Sequence, residues 1–281
     1  MTKARIAMLV TFPLLIGAAL LLYGWLQARA DPVVRRTAVA LPEWPVGSPP
    51  VTVALIGDVH IGNAAMDIRR LTRIVAQVNA LKPDLVVMVG DFIAGHEADS
   101  AVRMAPMLTE PLAKLRAPLG TVAVLGNHDH WTGAAAVTAA LERAKVLVLR
   151  NGAAVRGPLA IAGLDDRPTR HARLADTLAA VKTLAGAGVM LAHSPVLGGR
   201  LSPRVRLVLA GHTHCGQIVL PIIGAPRQVT IPRYRCGVVR DPGRLTIVTA
   251  GLGTSMVPVR IGAPPDIWLV RLGGDVARLR P

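Results

Sequence analysis

Aromatic side chains are scarce in this chain: two Phe, two Tyr and four Trp make up 3% of it. Proteins that grip single-stranded nucleic acid stack bases on aromatic rings, so that class of partner is disfavoured. Cysteine is almost missing too. Cys215 and Cys236 are too few for a disulfide framework and fix no redox compartment. Acid is in short supply, with 17 Asp and Glu against 32 Lys and Arg, a net charge of +15. Lysine is rare among the bases, at positions 3, 82, 114, 145 and 182 only. An arginine- and alanine-rich composition reflects biased codon usage as readily as an anionic partner such as phosphate, nucleic acid or an acidic membrane surface. There is no internal repeat and, beyond one proline-rich stretch, no low-complexity segment.

What is present is apolar. At 281 residues and 52% hydrophobic content, the chain can build one large domain or two small ones. Ile6 to Leu26 is a run of 21 uncharged residues, enough as a helix to span a hydrocarbon core of roughly 30 Å. Pro13 and Gly17 are tolerated in such helices, and Tyr23 and Trp25 sit where amphipathic rings favour the interface. Residues 1–30 are therefore read as a membrane anchor. The rival is a cleaved signal peptide ending at Ala28-Arg29-Ala30, although the run is long for one. Lys3 and Arg5 before it nearly balance Arg29, Arg35 and Arg36 after it, so flanking charge does not set the orientation. Residues 31–50 hold Pro32, Pro42, Pro45, Pro49 and Pro50 and are expected to form a stiff linker. The soluble domain is expected over 51–281.

From Val51 a pattern repeats of short apolar strand, polar tip and helix-like segment. Val51–Ile56 ends in Gly57-Asp58-Val59-His60, Leu85–Val89 in Gly90-Asp91, and Thr121–Leu125 in Gly126-Asn127-His128-Asp129. Asp67 is placed to cap a helix with Ile68, Leu71, Ile74, Val75, Val78 and Leu81 on one face. A second helix is expected around 99–116. Later strands are expected at 146–149, 159–163, 188–192, 205–209, 245–250 and 267–272. Strands alternating with helices early and clustering late fit an α/β domain on a central sheet system, in which ligands gather beyond the carboxyl ends of the strands. The run Val205–Leu209 ends in Ala210-Gly211 and then presents His212-Thr213-His214, two imidazoles one residue apart.

Collected along the chain, the tips offer Asp58, His60, Asp91, Asn127, His128, Asp129, His193, His212 and His214. Carboxylate, imidazole and one amide oxygen suit borderline divalent cations such as Mn, Fe, Co or Zn, and there are too few thiolates for a structural zinc site. In this order the motifs D-x-H, G-D, G-N-H-D, a lone His and G-H-T-H resemble those of the calcineurin-like metallophosphoesterases over residues 51–272. An N-terminal membrane segment, the Gly216-Gln217-Ile218 step and Gly251-Leu252-Gly253-Thr254-Ser255 are similar to the membrane-anchored bacterial branch of phosphodiesterases and UDP-2,3-diacylglucosamine pyrophosphohydrolases. The resemblance implies a central β-sandwich flanked by helices. It implies two divalent metal ions, Mn favoured, one held by Asp58, His60 and His214 and the other by Asn127, His193 and His212, with Asp91 bridging. It also implies hydrolysis of a phosphodiester or pyrophosphate bond by a metal-bridging hydroxide, with His128 acting at the leaving oxygen and Asp129 orienting His128. A lipid-linked substrate and a single-pass anchor in a bacterial inner membrane follow the same likeness. The alternatives are a nucleotide or nucleic-acid phosphodiesterase, favoured by the net charge, and a metal-stabilised binding module without catalysis. The latter is disfavoured because every expected position is filled.

Weaker signals surround this core. Cys215 replaces a glycine usual in that branch; it and Cys236 are read as unpaired, with a Cys215–Cys236 pair as the alternative. His130 is read as a loop residue, with substrate contact as the alternative. His96 and His171 receive no role. Eight arginines between Arg200 and Arg244 face one acid, Asp241, and are read as a solvated basic face or as grips for phosphate. Met104 to Leu108 is read as interior packing rather than an acyl-chain contact.

Overall fold

The computed structural model describes residues 3–275, the side chains of residues 3–10 excepted; the last six positions of the expected 51–281 domain lie outside the described residues. Among the described residues, twelve strands form two six-stranded sheets. Across the first run β1 (Val33–Ala40), β12 (Asp266–Gly273), β2 (Val51–Ile56), β3 (Leu85–Val89), β4 (Thr121–Val124) and β5 (Val146–Val148). Across the second run β10 (Gly237–Asp241), β11 (Arg244–Val248), β9 (Val205–Ala210), β8 (Ala187–Ala192), β7 (Leu159–Leu164) and β6 (Gly152–Arg156). The sheets pack face to face as the expected sandwich. Strand alternation builds its layers. Val53 and Leu55 of β2 and Leu85, Val87 and Val89 of β3 point between the sheets, against Ile161, Val189, Leu207 and Leu209. Ala54, Ile56, Val86 and Met88 point the other way, under α2 (Ile68–Ala80), α4 (Pro106–Leu112) and α6 (Ala134–Arg143). Outside the second sheet, α7 (Leu174–Lys182) contributes Val181 to a smaller core. Strands buried on both faces read as near-continuous apolar runs, broken only by Thr52 in β2 and Arg206 in β9, which is why β2, β3, β8 and β9 are visible in the sequence.

Two expectations need correcting. The expected linker contains β1, which pairs in parallel along its full length with β12, from Val33↔Asp266 to Ala40↔Gly273. Every proline of the stretch lies outside residues 33–40, which carry Val33, Val34, Thr37 and Val39, β-branched residues suited to an edge strand. The helix expected over 99–116 is broken into α3 (Ala101–Met104) and α4, because Pro106 has no N–H to continue a ladder but opens a new helix well. Met104 and Met107 pack on the helix-side core with buried Leu108, so that patch is interior.

Ahead of the sandwich, α1 (Lys3–Arg29) runs without interruption through Pro13. Thr11–Arg29 is long and apolar enough to cross a membrane. Phe12, Leu14, Leu15 and Leu20 to Leu22 are exposed, whereas Gly24 and Ala28 are buried against the domain. Arg70 on α2 closes the end of α1. Its buried guanidinium donates to the carbonyls of Arg29 and Ala30 at 3.2 and 3.0 Å, and to those of Ala65 and Leu252 at 3.1 and 3.0 Å. A cation on the unsatisfied carbonyls of a helix end also meets the negative pole of its dipole.

Candidate metal centre

Parallel pairing of β2 with β3, β3 with β4, and β8 with β9 brings their carboxyl ends to one edge of the sandwich. The chain leaves each strand in a tight reversal. Asp58, His60, Asp91, His212 and His214 all have positive φ, between 47° and 70°, a conformation that Asp and His tolerate better than most residues and that marks functional sites. Glycines allow the tips to touch. A Cβ on Gly126 would collide with the carboxylate of Asp91, and one on Gly90 would lie 2.6 Å from the Gly126 nitrogen.

The sequence-predicted donors converge. Asp58, His60, Asp91 and His214 place ligand atoms within 4.8 Å of one another, as do Asp91, His193 and His212, so Asp91 belongs to both groups. Its Oδ2 lies 3.5 Å from His60 Nε2 and 3.2 Å from His193 Nε2. The Asn127 side-chain oxygen is 3.1 Å from the same His193 nitrogen. Backbone N–H groups fix the carboxylates: His212 donates to both oxygens of Asp58, and His128 donates to Asp91 Oδ1 at 2.9 Å.

The chemistry of this donor set fits divalent cations. Ring nitrogens approach one another at 3.2 Å between His60 and His214 and at 3.0 Å between His193 and His212, so lone pairs converge where at most one proton can sit. Burial pulls His60 down to about 3 and His212 to about 4, and it holds His214 well below the ordinary imidazole range. Neutral rings are what a metal takes. Burial lifts Asp58 to about 7, against the pull of His193 and with the negative charge of Asp91 adding to it. Burial would lower His193 as well, but the neighbouring charges of Asp91 and Asp58 outweigh it and raise the ring to about 10.

Asp129 does not do what the resemblance implies. Its carboxylate accepts four backbone N–H bonds, from Asp91 and Gly126 at 2.9 Å, Phe92 at 2.8 Å and Ile93 at 3.2 Å. It clamps the tips of β3 and β4 together, and the ring of His128 is held instead by the Gly95 carbonyl, 2.6 Å from Nδ1. His130 is not a loop residue: it lies in the short helix α5 (Asn127–Thr132), pairs with buried Asp165 at 2.7 Å and stacks on His171. His96, given no role by the sequence, packs its ring 4.6 Å from that of His128 and 4.9 Å from Trp131. These three rings and Arg227 line one cavity of about 270 Å³ that opens over the donors. No motif marks His96 or Arg227, since both lie on loops that only the tertiary fold brings to the cavity.

A model of the family described as calcineurin-like phosphoesterase matches residues 51–216, more than half of the chain. The chain belongs to that family. A metallophosphoesterase of Aquifex aeolicus is 32% identical over 224 residues, covering 77% of this chain and 83% of the relative. A Danio rerio protein named as a transmembrane protein with a metallophosphoesterase domain is 30% identical over 276 residues, 90% of this chain and 60% of the relative. A Caenorhabditis elegans protein named as a metallophosphoesterase is 32% identical over 235 residues, 76% of this chain and 47% of the relative. The chain thus spans about half to three-fifths of the length of the last two. This member of the calcineurin-like phosphoesterase family carries a cluster of Asp and His donors suited to divalent cations and an apolar helix ahead of the sandwich.

One departure of this metallophosphoesterase from expectation lies beside His214. Cys215 and Cys236 form a disulfide, with Cα atoms 4.7 Å apart. The G-H-T-H loop turns back through the single helical turn His214–Gly216, and Thr213 Oγ donates to the Arg235 carbonyl at 2.7 Å. Loop reversal, not sequence spacing, brings the thiols together. Thiol titration in denaturant without reductant is expected to find no free thiol, and two after reduction. Two free thiols before reduction would show that the bond does not form.

Proposed function

We propose that this protein is a membrane-anchored, dinuclear metal-dependent hydrolase of phosphodiester or pyrophosphate bonds in a lipid-linked substrate such as UDP-2,3-diacylglucosamine. The observation that carries the reading is one buried carboxylate, Asp91, common to two groups of ligand atoms. One cation would be held by Asp58, His60 and His214, the other by Asn127, His193 and His212, with Asp91 between them. Cations bound there supply Lewis acidity toward the phosphoryl oxygens and make a water nucleophilic near neutral pH.

The chain's own groups do the rest. A carbonyl can only accept, so Nδ1 of His128 carries a proton and donates it to Gly95. That leaves Nε2 as the nitrogen available to the substrate, where it can hold a proton at the leaving oxygen. His60 and Trp131 meet the His128 ring edge-on, with centroids 4.7 and 4.9 Å away, and fix its plane. Arg227 at the cavity wall offers a guanidinium fork to a phosphate.

Two features favour a retained anchor over a cleaved signal. Ala28 is fully buried, and the Arg29 and Ala30 carbonyls are acceptors for buried Arg70. Cleavage there would strip a buried cation of partners, at a cost of several kcal/mol. The disulfide favours an oxidising compartment for the domain, and so the side of the membrane opposite the N-terminal end of α1. A nucleotide substrate is the second reading, favoured by the half-exposed Trp131 ring at the cavity.

Hydrolysis of bis-p-nitrophenyl phosphate in Mn buffer, abolished by chelator, is the primary test. Inactivity with every divalent ion would leave only a binding module. His128→Ala is expected to keep its metal while turnover falls roughly 10²–10⁴-fold, the range for a general acid or base. Wild-type turnover in that variant would remove the role given to His128. The substrate itself is sought by mass spectrometry of membrane extracts incubated with protein and metal. Loss of a nucleotide instead of a phosphate-bearing lipid would favour the second reading.

A further inference from the structure

Val229, Met256 and Val257 line the metal cavity and stand exposed, and Ile222, Ile223 and Ile231, on the chain segments that flank them, are exposed as well. Ile222 is 108% and Ile223 72% exposed, at the tip of a short turn closed by Leu220 and Gly224. Isolated exposed aliphatics are ordinary, but a cluster of them bordering a ligand cavity marks an interaction surface.

The position of α1 says what covers it. The carbonyl of Gly24 accepts the Arg260 N–H at 2.9 Å, and Gly24 is seated against Val259 and Ile261. From Tyr23 back to Thr11 the helix is exposed at every position but Gly17, so it leaves the domain at this level. The same segment carries the apolar rim. Gln217 Nε2 ties the carbonyls of Ser255, Val257 and Val259 together at 3.0 to 3.1 Å. Ile218 bridges Ile261, three residues before the turn that presents Ile222. Rim, cavity mouth and helix exit are thus parts of one hydrogen-bonded strip. Charge agrees with an anionic surface: Arg227 stands exposed beside Met256 in that strip, and Asp241, the one acid between Arg200 and Arg244, is already paired with Arg233 and Arg244.

We propose that this rim is a second membrane contact, seated in the anionic surface of the bilayer that α1 crosses. The cavity then opens at the lipid boundary and admits a phosphoester whose apolar tail stays in the membrane. Aliphatic side chains at the headgroup boundary with cationic neighbours are the composition of interfacial contacts. The substrate clause rests on the lipid-linked reading above; the seating does not depend on catalysis.

The test uses the full chain reconstituted in vesicles of phosphatidylcholine with phosphatidylglycerol. The native cysteines are paired, so Ile222→Cys takes a single environment-sensitive label. Val155→Cys is the control, an exposed position paired with Ala160 near the start of β7, at the end of the sheet remote from the strand tips. Lipids brominated on their acyl chains are expected to quench the label at 222 several-fold more than at 155, and less so in phosphatidylcholine alone. Equal quenching at both positions overturns the proposal, as does a signal at 222 that follows protein concentration, which would mean a second copy covers the rim. Equal quenching in the two lipid mixtures overturns the anionic assignment. A protein that is quenched at 222 yet hydrolyses no lipid phosphoester would sink the substrate reading while the seating stands.

Discussion

Asp91→Asn is expected to leave the chain folded, to lose its cations and to reduce hydrolysis by at least roughly 10³-fold, the scale of several kcal/mol of lost metal assistance. Two cations at close range repel, and a shared anion offsets that repulsion. Asp91 is the one residue present in both groups of ligand atoms. Asparagine is the informative replacement. Asp91 has φ +55°, which Asn tolerates and alanine does not, so Asp91→Ala would add backbone strain to the loss of charge. The amide oxygen can still accept the His128 N–H that Asp91 Oδ1 accepts at 2.9 Å. What changes is the charge, together with an NH₂ group turned toward the cations. Metal content per chain by plasma mass spectrometry, beside a thermal melt, separates loss of ligand from loss of fold. Two cations per chain in this variant would remove Asp91 from the shared position.

The donors are legible because they cluster just after short, mostly apolar runs, four of them directly behind a glycine, and parallel strands deliver such tips to the same edge. That local grammar locates Asp58, Asp91, Asn127 and His212 without any knowledge of the fold. It fails where the decisive partner is a backbone atom far away in sequence. Asp129 sits in the motif, yet its four acceptor bonds go to amides, three of them 36 to 38 residues upstream. Residue type alone cannot tell this clamp from a histidine partner. β1 is hidden because prolines crowd its flanks, and β6 and β10 because their outward faces are only partly buried and lack a continuous apolar run. The disulfide depends on a loop reversal after His214 that no spacing rule supplies. Arg70 reaches the Leu252 carbonyl across 182 positions, and in sequence it is one arginine among many.

Arg260 is the extreme case, and Arg260→Met is expected to lower stability by about 3–5 kcal/mol, the range for stripping a buried charged network of one member. Its guanidinium is fully buried, and its bonds run to carbonyls: Gly253, Ala263, Ala250 and Gly251, at 2.6 to 3.1 Å. Burial draws its pKa down to about 10, so it is charged at neutral pH. Those carbonyls shape the loop after β11, which donates from Leu252 to Gly57 at 3.0 Å and from Gly253 to Asp58 at 2.7 Å. The same guanidinium stands 3.4 Å from His214 Nδ1. One side chain therefore supports the backbone beneath Asp58 and the ring of His214. Methionine matches its length and packs well, but it leaves several buried carbonyls unpaired, each costing about 1–3 kcal/mol before relaxation. Arg260→Lys keeps a charge on a single nitrogen that cannot fork across four acceptors, so it should recover part of the loss. The expected fall in melting temperature is on the order of 10 °C for a domain of this size. Weaker metal retention should accompany it, because two donors of one site lose their support together. An unchanged melting temperature in Arg260→Met would mean that water takes over these carbonyls and that the loop beneath Asp58 holds its shape without a cation.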